Sequence, residues 1–245
     1  HVRLVDVTGT LAVQNCHGVR TALGDDQGGV TLSVIAVKPD TGAIPTVPTR
    51  SARHVIVYRE PGRFAGWPAN HGIWSREDQI LDGCGRGSPK DRGDSHNIDL
   101  ARPEEHLLAR STDGGETWSI EDPAADGALI PGPAHRFGTL RPGLTVPAAV
   151  ECDGGIDFTH PDFALALRMF GESGGDSRFS YSYDRGHTWR GPFALPEMDT
   201  PGIEARTNYL VNGPHDCTVF LSTVGMNGPD DLGTIRRSFC ARTTD

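Results

Sequence analysis

Two stretches decide the reading of this chain: Ser111-Thr112-Asp113-Gly114-Gly115-Glu116-Thr117-Trp118 and Ser182-Tyr183-Asp184-Arg185-Gly186-His187-Thr188-Trp189. Both fit S-x-D-x-G-x-T-W at every fixed position, and the second begins 71 residues after the first. Thr243-Thr244-Asp245, a further 61 residues on, matches the opening of a third copy. A short strand is predicted before each copy, over His106–Arg110, Arg178–Tyr181 and Ser238–Arg242. Self-similarity on this scale indicates an array of repeated β units or a propeller.

The residue types have a local physical reason. A hairpin turn needs a residue that tolerates positive φ, and Gly115 and Gly186 supply it. An Asp carboxylate accepts bonds from the N–H groups of its own turn, and a Ser or Thr hydroxyl adds a second local bond. The Trp covers apolar area where the turn meets the sheet. The motif is a self-contained turn lock.

These residues are those of the Asp-box, or BNR, repeat, and the chain resembles the sialidase-like proteins that carry it. The resemblance covers roughly residues 54–245, with residues 1–50 as a leading segment of weak signals and 51–245 as incomplete Asp-box blades. It implies an all-β fold, a β-propeller of the six-bladed sialidase type, in which the motif joins the third and fourth strands of a blade on the outside, away from the site. It therefore speaks to fold more than to function. Because the sequence ends inside the third copy, where a fourth strand is expected, the chain reads as about half of a propeller. A strand edge left open at that point is costly. The resemblance also implies a secreted or periplasmic location and a Tyr nucleophile late in the chain, past residue 245.

Composition agrees with a turn-dense β protein. The 245 residues include 31 glycines and 18 prolines, and Gly or Pro interrupts nearly every window in which a long amphipathic helix could form. No apolar run approaches the ~18 residues of a membrane span. The net charge of −9 and the lack of any Lys/Arg run argue against a nucleic-acid partner. Cysteines 16, 84, 152, 217 and 240 show no C-x-x-C spacing and read as buried free thiols. Gly83-Cys84-Gly85-Arg86-Gly87-Ser88 is glycine-rich but lacks the Lys-Ser/Thr of a phosphate loop. H-E-x-x-H is absent, and His96, His106 and His135 have no metal-ligand spacing, so neither metal nor cofactor is expected.

Propeller sites lie near the central channel, which directs attention to polar clusters just before each blade's first strand. The first runs from Arg59 to Trp74 and includes Arg63, Trp67 and His71; the plain alternative is core packing for Trp67 and Trp74 and a structural role for His71. Arg-Ile-Pro, the family's carboxylate-binding tripeptide, is absent, and Arg59-Glu60-Pro61 is only a displaced echo. The second is Asp157–Phe163, where Asp162 is a candidate acid or base beside His160, or simply part of a turn. Arg168, at the end of the following strand, matches the family's carboxylate-binding Arg by position, and Glu151 its nucleophile-activating Glu. The third holds Glu204, Arg206 and Tyr209 before Leu210-Val211, with a surface salt bridge as the alternative for Glu204 and Arg206.

The resemblance implies a glycoside hydrolase acting on terminal sugars of glycoconjugates, in which arginines hold a sugar carboxylate. A non-catalytic Asp-box propeller that binds a glycan or protein is the competing reading. The missing tripeptide and the Trp-rich segment favour it.

Overall fold

The computed structural model describes residues 54–68, 71–93, 96–132, 139–170, 176–224 and 237–244, together with the backbone of three strands among residues 1–50. In chain order the strands are β1 (Arg3–Val5), β2 (Val19–Ala22), β3 (Gly29–Val34), β4 (Val55–Arg59), β5 (Phe64–Gly66), β6 (Ile73–Arg76), β7 (Gln79–Gly87), β8 (Glu105–Ser111), β9 (Ser119–Glu121), β10 (Ala164–Arg168), β11 (Arg178–Ser182), β12 (Arg190–Ala194), β13 (Ile203–Gly213), β14 (Asp216–Thr223) and β15 (Ser238–Thr244). A 3-10 turn at Pro123–Asp126 is the only helical element among the described residues, and no helix is long and apolar enough to cross a membrane.

The protein is all-β. Its strands form four antiparallel sheets: β2-β3-β4; β5-β7-β8-β9 with β6 also on β7; β10-β11-β12; and β1-β15-β14-β13. Sequence-adjacent sheets pack face against face. Trp74, Leu81 and Leu108 of the second sheet meet Ala164 and Ala166 of the third. Phe163, Leu165, Leu167 and Tyr181 of the third meet Ala205, Cys217 and Leu221 of the fourth.

Both S-x-D-x-G-x-T-W turns close as their residue types require. Ser111 Oγ accepts from Gly115 N at 2.8 Å and donates to Asp113 Oδ1 at 2.8 Å. Asp113 accepts from Thr117 N at 2.9 Å and from Thr117 Oγ1 at 2.6 Å. The same four bonds recur from Ser182 to Thr188, at 2.9, 2.7, 2.8 and 2.6 Å. The two turns part company at the indole: Trp118 Nε1 donates to Gly115 O at 3.0 Å, whereas Trp189 stacks obliquely on Trp74 with 5.5 Å between ring centroids. The second turn is thus pressed onto the sheet before it, and Arg110 Nη1 also reaches Arg185 O at 2.9 Å.

Most expected strands fall where the sequence places them, with three differences. Leu32-Ser33-Val34-Ile35-Ala36-Val37, an apolar run that reads as one strand, overlaps β3 (Gly29–Val34) only through Val34, and residues 35–37 lie outside the described residues. Glu204 and Arg206, expected ahead of a strand, lie inside β13, which begins at Ile203. The outer edge of β15, expected to be open, is paired: Arg3 faces Arg242, Leu4 faces Ala241 and Val5 faces Cys240. Cys84, Cys152, Cys217 and Cys240 are free thiols, the first and third buried; Cys16 and His135 lie outside the described residues.

Candidate functional site

β7 carries glycine at 83, 85 and 87, and successive side-chain positions of a strand alternate faces. From Gly83 to Gly87 one face of β7 is therefore bare. The space is filled from elsewhere: a Cβ at Gly83 would stand 2.7 Å from His71 Cβ, and one at Gly85 would stand 2.5 Å from Glu104 Oε1 and 2.9 Å from Trp67 Cδ1. Gly85 pairs with His106 across the β7–β8 ladder. Glu104 and His106, two residues apart, share that face. His71, Glu104 and His106 thus meet over a strand that offers no side chains, and the two imidazole rings lie 4.1 Å apart between centroids.

This cluster is nearly dry. His71, Glu104 and His106 are 7%, 2% and 3% exposed. His71 Nε2, both nitrogens of His106 and both oxygens of Glu104 meet no hydrogen-bond partner. Burial of a charge without a partner disfavours the charged form. Burial accordingly pushes the Glu104 carboxyl up to about 8, with the nearby Trp67 indole acting in the opposite direction. Burial drives His106 down to about 3, with the Arg168 guanidinium adding to the effect. It drives His71 down as well, helped by His106, Arg168 and Arg206. Burial thus favours the uncharged form of all three side chains.

Arg168, at the end of β10, borders the cluster. Its Nη1 donates to His71 O, to Leu167 O at 3.2 Å and to Thr207 Oγ1 at 3.4 Å, while Nε and Nη2 are buried with no partner. Burial pulls its pKa down. The β13–β14 register shifts between Ala205 and Tyr209, which takes residues 206–208 out of the regular ladder. Such irregularities re-aim side chains. Here Thr207 Oγ1 accepts from Leu167 N at 2.9 Å and donates to Leu167 O at 3.1 Å. Tyr209 Oη accepts from Leu165 N at 3.4 Å. The edge of β10 that no strand pairs is thereby served by β13 side chains. Beside this contact a cleft of about 330 Å³ opens between β6 and β13, lined by Trp74, Ser75, Arg76, Thr207, Asn208 and Tyr209.

Of the residues singled out from the sequence, His71, Trp67 and Arg168 meet in this region, and Arg206 is exposed on β13, where its charge acts on His71. Tyr209 borders the cleft, but its hydroxyl serves Leu165 N, and burial raises its pKa. The others lie elsewhere. Asp162 forms an ion pair with Arg185 at 2.5 Å, inside the second turn, and this holds its carboxyl below the usual range. The His160 ring packs on Tyr183 at 4.7 Å, and its Nδ1 accepts from Asp162 N at 3.2 Å. Arg63 pairs with Glu105 at 2.7 Å in a network with Arg86 and Arg141. Arg59 is exposed at the end of β4. Glu204 is buried on β13 opposite Ser222. Glu151 is exposed at the margin of a second, mostly apolar cavity of about 620 Å³ between the third and fourth sheets.

Sequence reasoning missed Glu104 and treated His106 only as a histidine without metal spacing. The signal that could have found them is the alternation of glycines in 83–87, which marks a strand face cleared for other side chains. Among known proteins, no family model, no curated protein and no solved structure matches the chain. What the fold defines is its class, an all-β protein of packed antiparallel sheets carrying two identically bonded Asp turns.

Proposed function

We propose that the chain belongs to a sialidase-like Asp-box propeller and acts as a glycoside hydrolase on terminal sugars that carry a carboxylate, sialic acid among them. The observation that carries this reading is the placement of two arginines from different sheets around His71: Arg168, whose Nη1 donates to His71 O, and Arg206, exposed on β13, whose charge also acts on the His71 imidazole. A guanidinium forks a carboxylate in a bidentate way, and a pair of them selects an anionic sugar. The cleft between β6 and β13 offers room for a sugar ring next to Thr207, with Arg76 as its lining cation and Trp74 and Tyr209 as aromatic surface. Secretion to the cell exterior or periplasm goes with that substrate.

A non-catalytic, glycan-binding role is the second reading, and one observation favours it. Asp162, the candidate acid or base, is tied up in an ion pair with Arg185 at 2.5 Å, which holds its carboxyl below the usual range.

The test is hydrolysis of a fluorogenic sialoside, with binding of the free sugar followed by calorimetry. Turnover that Arg206→Ala lowers about ten-fold or more supports the hydrolase. Binding without turnover, lost in the same variant, selects the second reading. Neither binding nor turnover overturns both.

A further inference from the structure

We propose that His71, Glu104 and His106 form a binding site for one divalent first-row transition ion of the zinc class. The ligand atoms of the three side chains lie within 4.8 Å of one another, and all three residues are buried. Two imidazole nitrogens and a carboxylate oxygen are the donor set such ions take, with a position left over for water or an anion. Ligands about 2.1 Å from a tetrahedral ion stand ~3.3 Å apart, so small side-chain rotations draw the three atoms onto an ion. The bare stretch of β7 lets Glu104 Oε1 and His71 Cβ come within 2.5 Å and 2.7 Å of where Cβ atoms at Gly85 and Gly83 would stand.

The second observation is independent of the donor geometry. His71 Nε2, both Glu104 oxygens and both His106 nitrogens are buried and make no hydrogen bond. Buried polar atoms are nearly always satisfied, and each orphan costs free energy. One ion satisfies an atom on all three residues at once. The Arg168 guanidinium, close enough to act on both imidazoles, opposes a dication. The Glu104 carboxylate and an anion in the open position offset it, which places any anionic ligand on the Arg168 side. Among the described residues, these three make the one group of His, Cys, Asp and Glu with such spacing. The proposal is independent of sugar binding, because its readout is the ion.

The experiment is titration of the whole, chelator-treated chain with Zn²⁺ by calorimetry and with Co²⁺ by visible absorption. The expected result is one saturable site per chain with a Co²⁺ spectrum of low coordination number. Loss even of a residue that only supports a metal ligand typically costs ten-fold or more in affinity, so His106→Ala and Glu104→Gln should each weaken binding at least about ten-fold. Glu104→Gln is nearly isosteric and uncharged, so it decides the matter if His106→Ala fails to fold by circular dichroism. His187→Ala, at an exposed position of the second turn, should leave binding unchanged. Absence of saturable binding overturns the proposal. Binding that Glu104→Gln leaves intact, or that His187→Ala removes, overturns it too.

Discussion

Glu104 and Glu105 are neighbours with opposite fates, and the cause is the alternation of side chains along a strand. Glu105 faces Arg63, Arg86 and Arg141, whose guanidinium groups hold its carboxyl below the usual range despite partial burial. Glu104, turned the other way, meets two imidazoles and an indole, and burial pushes it up to about 8. Asp113 shows a third environment, an exposed carboxylate held by its own turn. Bonds from Thr117 and Ser111 lower it from 3.8 to about 2. A carboxylate depressed by folding contributes stability that is present above its unfolded value and lost as pH falls through its folded one. Asp113→Asn should therefore destabilise the protein at neutral pH. It should also flatten the fall in stability between about pH 4 and pH 2, leaving the two proteins alike at the acid end. Denaturant titrations across that range measure it, and an unchanged acid limb would contradict the role given to the turn.

At the scale of elements, the turns were legible and the cluster was not. The side-chain bonds of the Ser111–Trp118 lock fall within eight residues, so the sequence contains both halves of each interaction. The strands before the turns were legible for the same reason, as short apolar runs that end at a turn signal. His71, Glu104 and His106 are brought together by the β7–β8 register and by a strand face cleared of side chains, neither of which a single sequence displays. Arg168 and Arg206 were found by their place relative to strands, although Arg206 owes its setting to an irregularity in the β13 ladder. The contact of β13 with β10 was likewise invisible, because one side chain stands in for a strand. Thr207→Val keeps the shape of that side chain and removes its hydroxyl, leaving Leu167 N buried with no acceptor. The expected cost is roughly 1–3 kcal/mol in denaturant unfolding, with faster hydrogen exchange at the Leu167 amide. Unaltered exchange there would show that β10 does not depend on Thr207.

Across the whole molecule, the fourth sheet draws its strands from both ends of the described chain, since β1 lies against β15. An unpaired strand edge exposes a row of backbone donors and acceptors and invites association. Removal of residues 1–5 should therefore raise hydrogen exchange selectively at residues 240–242, while exchange in β7 and β8 stays as it was. Uniform loss of protection would mean that the four sheets unfold as one unit. Protection unchanged at 240–242 would mean that β1 contributes nothing to the edge.

The glycines of β7 carry a consequence for how such a chain can vary. A glycine is commonly read as a licence for the backbone to bend, yet here the strand is held in a ladder on both sides and bends nowhere special. What β7 contributes is vacancy, a mould into which residues from two other segments are cast. The smallest side chains in the region are thus the least replaceable. Exchanging one of the cast residues alters what the hollow holds, whereas adding a single carbon to the mould removes the hollow itself.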